Sequence, residues 1–280
     1  MRCWPVGSTS WSNVAASEQH VSGPTSGPTA GPSSRRTPDH PSVLVVIPAF
    51  NERDCIGGVI DEVRAAGFDC LVVDDGSRDE TADIAAAHGA AVVRLPINLG
   101  VGGALRTGFR YAHDHGFTTV VQVDADGQHV AEHIDELLTA LDDRDLDLVI
   151  GSRFAADSTY RMTYVRRLCV RLLSFVIRHS GKADISDPTS GFRAIRSPLL
   201  EAFAADFPAH YLGDTFEAVL VAARRGYHVG EIPVGMRDRQ GGRPSADLHA
   251  LVVSMLRACT VLLTGTTFDL PVRPPRVPTI

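Results

Sequence analysis

The chain of 280 residues is long enough for one substantial domain with tails, and its 44% of hydrophobic residues suffices for a buried core. A formal net charge of −6 leaves no overall basic footprint, so nucleic acid is excluded as a first candidate partner. The five cysteines are scattered and lack CxxC spacing, which argues against a disulfide framework or zinc site and favours a reducing compartment.

The first segment, residues 1–41, is dominated by Gly, Pro, Ser and Thr. It buries too little apolar surface to offset its ordering entropy, so we expect a disordered tail. Its start lacks the apolar stretch of a secretory signal, and no apolar run in the chain reaches membrane-spanning length. The sequence therefore predicts neither a cleaved leader nor a transmembrane helix.

From residue 43 onward, apolar runs with strand character alternate with helical patterns. The runs lie at 43–47, 70–73, 91–93, 119–123 and 148–150, and the helices at about 54–66, 79–88, 101–115 and 130–142. This alternation predicts an α/β fold whose mostly parallel, Rossmann-like sheet is covered by helices on both faces. Ligands of such sheets bind beyond the carboxyl ends of the strands.

The second half of the chain is less regular. It predicts helices over 162–179 and 214–225, a turn over 187–193 that leads into a short strand, a strand over 228–234 and a polar loop over 237–245. An amphipathic C-terminal helix is expected over 246–268, followed by a loose Pro-rich end over 269–280.

The end of the fourth strand carries two carboxylates, Asp124 and Asp126. Their spacing places both on one face if the extended geometry continues, and like charges repel unless a cation lies between them. With Gln128 they offer oxygen ligands suited to Mg²⁺ or Mn²⁺, which bridge the phosphates of a nucleotide diphosphate. An isolated Asp-x-Asp is more often a solvated turn, but its place after a buried strand favours the metal. His129 is expected to be a neighbour, because hard cations prefer oxygen.

The second strand ends in Asp74 and Asp75, followed by Gly76 and Ser77. A carboxylate there can accept a hydrogen bond from a uracil or guanine N–H, or from a ribose hydroxyl. The alternative is a β-turn with helix N-caps, since Asp and Ser favour both. We expect one aspartate to bind and the other to organise the turn.

Four arginines, Arg153, Arg193, Arg239 and Arg243, fall in predicted loops or at element ends. An isolated arginine is usually a solvated surface group. Four at positions that could approach a pyrophosphate favour phosphate binding.

These segments together resemble glycosyltransferase family 2, which has the GT-A fold. The resemblance covers roughly residues 43–245, within a predicted domain over 42–245, and rests on Ile47–Glu52, Val72–Ser77, Asn98–Gly100, Asp124–His129 and Gly151–Phe154, in that order. Within the family the chain is most similar to the dolichyl- or polyprenyl-phosphate sugar synthases, through Ser152-Arg153, Asp187–Arg193, Glu217, Asp238-Arg239 and Gly242–Ser245.

The resemblance implies a donor site. It assigns the nucleoside to Pro48, Phe50, Glu52, Val73 and Asp75, and the metal and diphosphate to Asp124, Ala125, Asp126 and Gln128. Arg153 and Arg239 would contact the phosphates. A lysine that the family keeps after Arg239 has no direct counterpart, and Arg243 would substitute for it.

The reaction implied is a metal-dependent, inverting transfer of one sugar from a UDP- or GDP-linked donor to a polyprenyl (dolichyl-type) phosphate. A phosphate nucleophile is already ionised near neutral pH and needs no strong general base. It needs cations to overcome the repulsion between two anionic substrates, which gives the metal at Asp126 and the charge of Arg153 catalytic roles. The sequence leaves the choice between UDP and GDP open.

Membrane contact is expected through the amphipathic helices near 162–179 and 248–263, which could lie on an anionic surface and present the lipid. For the second helix, packing on the domain explains the pattern equally well. Many relatives carry transmembrane helices after the catalytic domain and this chain does not. We therefore expect a peripheral protein on the cytoplasmic face, working beside a separate small integral-membrane protein.

Asp214 keeps the nature of the acceptor open. It lies near the position where family members with hydroxyl acceptors keep a catalytic-base aspartate. If Asp214 deprotonates a sugar hydroxyl, the acceptor is a glycan; the alternative role is a helix N-cap. A third interpretation, a non-catalytic nucleotide-sugar binding protein, is disfavoured by the intact Asp124-Ala125-Asp126.

Overall fold

The computed structural model of the chain describes residues 42–153, 164–181, 183–207, 214–237 and 270–274. The strands of these residues are β1 (Val43–Ala49), β2 (Asp69–Asp74), β3 (Ala91–Arg94), β4 (Thr119–Gln122), β5 (Leu148–Ser152), β6 (Arg193–Arg196) and β7 (Val229–Pro233). The helices are α1 (Ile56–Ala65), α2 (Thr81–Ala87), α3 (Val101–Asp114), α4 (Ile134–Asp143), α5 (Tyr164–Gly181), α6 (Leu199–Ala205) and α7 (Asp214–Arg224). A 3₁₀ turn at Ala131–His133 leads into α4.

The strands of the described residues form one sheet in the order β3-β2-β1-β4-β6-β5-β7. Strand β6 runs antiparallel to both of its neighbours, and the other pairs are parallel. The predicted mostly parallel sheet is confirmed. The antiparallel β6 enters between β4 and β5, so the sequence segment that follows residue 187 lies between the two strand ends expected to carry the site.

Two hydrophobic layers cover the sheet, one on each face. Successive residues of β1 divide between them, because strand side chains alternate. Val45 belongs to the layer formed with Ile60 of α1 and Leu137 of α4. Val46 belongs to the opposite layer, with Phe109 of α3 and the helices α5, α6 and α7. The predicted covering of both faces is confirmed.

Two details of the elements differ from the sequence prediction. Strand β1 continues through Pro48, although the apolar run was expected to stop there. Pairing of β4 with β1 ends at Val46, so the missing N–H of Pro48 removes no bond on that side. Helix α6 was not predicted, because it is short and most of its residues are apolar, so no amphipathic pattern marks it.

The segment 270–274 packs against the body of the protein, where a loose end was expected. Leu270 is buried in the layer that contains α3. The backbone N–H of Arg273 donates to the carbonyl of Arg225 at 3.0 Å, and its Nε donates to Oδ2 of the buried Asp147 at 2.7 Å. A Pro-rich composition predicted looseness, but one arginine that reaches a buried carboxylate fixes these residues.

Several expectations fall on residues outside the described ranges. They are the tail 1–41, the loop residues 238–245 with Arg239 and Arg243, and the C-terminal helix over 246–268. Among the described helices, none combines the length and the hydropathy needed to cross a bilayer.

Candidate functional site

The carboxyl ends of β1, β2 and β4 lie side by side, because these three strands are parallel neighbours in the sheet. The loops after them contain most of the predicted site residues, and Arg153 follows β5 beyond the inserted β6. The sheet therefore brings the predicted nucleoside, metal and phosphate residues of the described ranges to one edge.

Side chains join the loops that follow β1 and β2. The Asn51 N–H donates to Ser77 Oγ at 2.9 Å, and the Glu52 N–H donates to Thr81 Oγ1 at 2.9 Å. In return Asn51 Oδ1 accepts from the Arg78 N–H at 2.8 Å. Asn51 has a φ of +56°, a conformation that asparagine tolerates better than most residues. These bonds fix the backbone on either side of the predicted nucleoside contacts.

The predicted nucleoside residues differ in what they can offer. Phe50 is exposed and presents an aromatic surface at the sheet edge, while Pro48 and Glu52 are half-buried. The Val73 side chain is fully buried in the layer against α3. The Val73 side chain therefore cannot contact a nucleoside in this arrangement.

Both aspartates at the end of β2 organise the protein. Asp74 Oδ1 accepts from the Ser77 N–H at 3.1 Å, which closes the turn as expected for one of the pair. The Asp75 carboxylate accepts from the N–H groups of Leu99 and Gly100 at 2.7 and 2.8 Å. Burial raises the pKa of Asp75, and these two donors oppose the shift only in part. Asp75 thus ties the loop before α3 to the site.

The loop after β4 does not keep the extended geometry that the spacing argument assumed. The strand ends at Gln122, and the chain turns at Ala125 and Asp126. Asp126 is buried and its Oδ1 accepts from the Gln128 N–H at 3.0 Å, whereas the side chain of Asp124 is 38% exposed. The alternation of strand side chains therefore does not explain how these two carboxylates are oriented.

His129 lies beside Asp124, as a neighbour should. Its Nδ1 accepts from the Asp124 N–H at 3.0 Å, and its Nε2 lies 3.7 Å from Asp124 Oδ2. On another side of the carboxylate stands Gly191, where a Cβ would lie 2.5 Å from Oδ2. Residue 191 precedes β6, so the inserted antiparallel strand brings it to this loop.

Arg153 forms a buried ion pair that the sequence analysis did not assign. Its Nε and Nη2 donate to the two carboxylate oxygens of Asp187 at 2.7 and 2.8 Å, and Nη2 also donates to Thr189 Oγ1 at 2.7 Å. Burial alone would raise the pKa of Asp187, but the hydrogen bonds and charge of Arg153 outweigh it and hold that pKa below its usual range. The Arg153 side chain, predicted to contact the phosphates, is therefore held rigidly, and Asp187 compensates its charge.

The turn that holds Asp187 is itself tied down. Glu231 Oε2 of β7 accepts from the backbone N–H groups of Ser186 and Asp187 at 2.7 and 3.3 Å. The buried Arg193 donates to the carbonyls of Ser190 and Pro188 at 2.7 and 2.8 Å. Arg193 was grouped with the phosphate-binding arginines, and its guanidinium instead supports this turn.

Three predicted site residues lie wholly or partly beyond what the structure describes. Arg239 and Arg243 are outside the described residues. Asp214 is the first residue of α7, but its side chain is also outside them.

The loop after β4 fits a hard divalent cation. Within the described residues, no cluster of three or more His, Cys, Asp or Glu side chains could hold a metal by itself. Mg²⁺ in nucleotide sites is typically held by one or two carboxylates together with substrate phosphates. Two aspartates on one turn, one of them partly exposed, match that donor set.

Comparison with known proteins gives consistent matches. The family model Glycosyl transferase family 2 matches residues 44–203. The chain is 34% identical over 211 residues to polyprenol monophosphomannose synthase of Mycolicibacterium smegmatis, covering 71% of this chain and 78% of that protein. It is 32% identical over 209 residues to undecaprenyl-phosphate mannosyltransferase of Micrococcus luteus, covering 71% and 85%.

A solved structure extends the comparison to the fold. The complex of glucosyl-3-phosphoglycerate synthase of Mycobacterium tuberculosis with Mn²⁺, UDP and phosphoglyceric acid superposes with a TM-score of 0.63. The sequence identity is 25%, and the match covers 81% of this chain and 79% of that one.

Proposed function

The chain belongs to glycosyl transferase family 2 and is a glycosyltransferase with the GT-A fold, and from this premise we propose that it transfers one sugar, with inversion, to a polyprenyl phosphate. The donor is a UDP- or GDP-linked sugar. The observation that carries the proposal is the turn with Asp124 and Asp126 at the end of β4, beside the loops after β1 and β2. The names of the two mannosyl-transferring relatives support the lipid phosphate acceptor.

Asp124 and Asp126, with Gln128, would hold Mg²⁺ or Mn²⁺. Bound there, the ion supplies positive charge to the diphosphate as it leaves. The solved neighbour that was crystallised with Mn²⁺ and UDP supports this assignment.

The residues of the chain position the donor and leave one face of the sugar to the acceptor. Phe50, Pro48 and Glu52 would bind the nucleoside, and Arg153 would contact the phosphates from its fixed position beside Asp187. An acceptor oxygen forms a bond to the anomeric carbon while the bond from that carbon to the diphosphate oxygen breaks, and its electron pair leaves with the nucleoside diphosphate. A monophosphate acceptor has a second pKa near 6, so its oxygen needs no protein base.

A second candidate function, transfer to a hydroxyl, is favoured by one observation. The solved neighbour was crystallised with phosphoglyceric acid, which offers a hydroxyl next to a carboxylate. Asp214 at the start of α7 would then take the hydroxyl proton. The two functions therefore differ in their need for Asp214.

The deciding experiment incubates the protein with labelled UDP- and GDP-sugars, Mn²⁺ and either polyprenyl phosphate or phosphoglyceric acid. We expect a mild-acid-labile glycolipid, and we expect Asp214→Asn to keep its rate within about threefold. A loss of roughly 10²-fold or more in Asp214→Asn, the size expected for a general base, would favour the hydroxyl acceptor. Asp135→Asn, in the first turn of α4, controls for the effect of lost charge at a helix start. No transfer to either acceptor would contradict the proposal.

Helix α5 supports contact with a membrane surface. Its buried side carries Val170, Leu173 and Ile177. Its exposed side carries a ridge of large apolar side chains at helical spacing, which are Leu168, Leu172 and Phe175. Leu168 is 69% and Phe175 is 57% exposed. Exposed apolar side chains that lie together mark interaction sites, because their contact with water is unfavourable.

Basic side chains flank the ridge. Arg171 and Arg178 are exposed on α5 one helical turn from its apolar members, and His179 stacks on Phe175 with ring centroids 5.1 Å apart. An apolar ridge with arginines beside it suits a surface of anionic headgroups above acyl chains. This placement would bring the protein to its lipid substrate at the cytoplasmic face, where a separate small membrane protein would assist it.

The ridge gives a testable expectation for the double variant Leu172→Glu/Phe175→Glu. Burying each of these side chains is worth about 1.5–3 kcal/mol, so the variant should bind vesicles containing phosphatidylglycerol at least about tenfold more weakly. Flotation with and without the anionic lipid measures this. Val272→Glu, at another exposed apolar side chain, is the matched control and should bind like wild type. Equal flotation of all three proteins would remove α5 as the membrane contact.

A further inference from the structure

We infer that His129 is a positioning residue, which holds the main chain of Asp124 through its ring nitrogen Nδ1 and thereby sets where the Asp124 carboxylate meets the divalent cation. The inference rests on the proposed function, because it concerns the metal assigned to Asp124 and Asp126. Nothing in the sequence pattern alone distinguishes this role from that of a buried core histidine.

The hydrogen bond at Nδ1 sets the tautomer of the ring. A backbone N–H can only donate, so Nδ1 of His129 accepts from Asp124 and the ring proton is on Nε2. The Nε2 atom lies 3.7 Å from Asp124 Oδ2, which is too far for a direct hydrogen bond but places the ring beside the carboxylate. One imidazole therefore contacts both the main chain and the side chain of the proposed ligand.

Both the ring and the backbone of His129 are held in place. It is buried and stacks on Phe192 with centroids 5.0 Å apart and an interplanar angle of 26°. Its backbone forms an antiparallel bridge with Met236, and the adjacent Gln128 carbonyl accepts from the Arg237 N–H at 3.0 Å. The imidazole thus has little freedom to turn away from Asp124.

Gly191 leaves free the space that the Asp124 carboxylate occupies. A Cβ at this position would lie 2.5 and 2.6 Å from the two oxygens of Asp124, distances that real Cβ atoms do not show. A side chain at position 191 would therefore displace the carboxylate from its place beside the His129 ring. Residues that orient a ligand in this way typically change metal affinity or activity by about 10–100-fold when they are replaced.

The test measures Mn²⁺ binding by calorimetry in the presence of UDP, with folding checked by circular dichroism. His129→Phe keeps a ring against Phe192 but loses both nitrogens, so its Kd for Mn²⁺ should rise about 10–100-fold. His129→Asn offers an acceptor oxygen near the position of Nδ1, so its Kd for Mn²⁺ should stay within about threefold of wild type. His129→Gln offers no acceptor at that position, so its Kd should resemble that of His129→Phe. In transfer assays, the Mn²⁺ concentration for half-maximal rate should rise in His129→Phe while the rate at saturating Mn²⁺ recovers.

Several results would overturn the inference that His129 positions Asp124. Wild-type affinity in His129→Phe, or in His129→Gln should the phenylalanine variant not fold, would overturn the inference, as would an asparagine variant no better than glutamine. Gly191→Ala should also weaken Mn²⁺ binding about tenfold or more, with Gly58→Ala on the open surface of α1 as its control; unchanged affinity in Gly191→Ala would likewise overturn the inference. Wild-type protein that binds neither Mn²⁺ nor Mg²⁺ would overturn the proposed function as well.

Discussion

Replacing Asp126 with asparagine is expected to lower the transfer rate by about 10²–10³-fold, or about 2.7–4 kcal/mol of transition-state stabilisation. The asparagine oxygen can still accept the Gln128 N–H, which Asp126 Oδ1 binds at 3.0 Å, so the turn should persist. What disappears is one negative charge of the proposed divalent-cation site. Steady-state rates across a Mn²⁺ titration measure the effect.

Asp74→Asn is the matched control for this variant. Asp74 is also a buried aspartate at the end of a strand, and its Oδ1 also accepts one backbone N–H, from Ser77 at 3.1 Å. It organises a turn and has no assigned role toward the metal, so its rate should stay within about threefold of wild type. Equal losses in Asp126→Asn and Asp74→Asn would assign both effects to turn structure and remove the metal from Asp126.

Replacing Asp187 with alanine is expected to lower the free energy of unfolding by about 3–5 kcal/mol. Asp187 is fully buried, and its partner Arg153 has a side chain only 11% exposed. The variant would leave the guanidinium without its bidentate partner, and this uncompensated charge dominates the cost. Urea denaturation followed by circular dichroism measures the change.

A nearby ion pair supplies the control. Asp184, three positions before Asp187, pairs with Arg178, but its side chain is 80% exposed. Solvent screens such a pair, so Asp184→Ala should change the free energy of unfolding by less than about 1 kcal/mol. A similar loss in both variants would show that burial does not set the strength of the Arg153 pair.

The same carboxylate makes stability depend on pH. The folded protein holds the pKa of Asp187 below that of an aspartate in the unfolded chain, which is about 3.9. As the pH falls, the unfolded chain takes up this proton first, so the stabilisation is present above about pH 4 and is lost as the pH falls through the folded pKa. In Asp187→Ala the acid branch of the stability curve should be correspondingly flatter.

Local sequence patterns predicted the sheet well, because a strand that is buried on both faces is a continuous run of apolar residues. Strands β1, β2 and β4 are apolar runs covered on both faces, and each ends in a recognisable polar segment. The place of β6 in the sheet could not be predicted from such a local pattern. The four residues of β6, Arg193–Arg196, carry no sequence signal that predicts antiparallel pairing between β4 and β5. Pairing partners far apart in the chain leave no periodic signal.

In the candidate site, too, residues close in sequence were predicted, whereas contacts between distant residues were not. The turn with Asp124 and Asp126 stood out because both carboxylates are close in sequence. Asp187 lies 34 residues after Arg153, and Gly191 lies far from Asp124, so their contacts depend on the fold. The Asp187–Arg193 segment was noticed as a motif, but only the structure shows that it supports Arg153 and borders Asp124. The spacing argument for Asp124 and Asp126 failed because it assumed a strand that had already ended.

The anchoring of residues 270–274 has a consequence for how this fold tolerates change. The chain is bound to the body at Arg237, whose N–H donates to Gln128, and again at Arg273. Deletion of residues 270–274 would remove Leu270 from the hydrophobic layer that contains α3 and would leave the buried Asp147 without the Arg273 guanidinium. These five residues are therefore expected to tolerate deletion less well than their Pro-rich composition suggests, because buried and hydrogen-bonded groups set that tolerance.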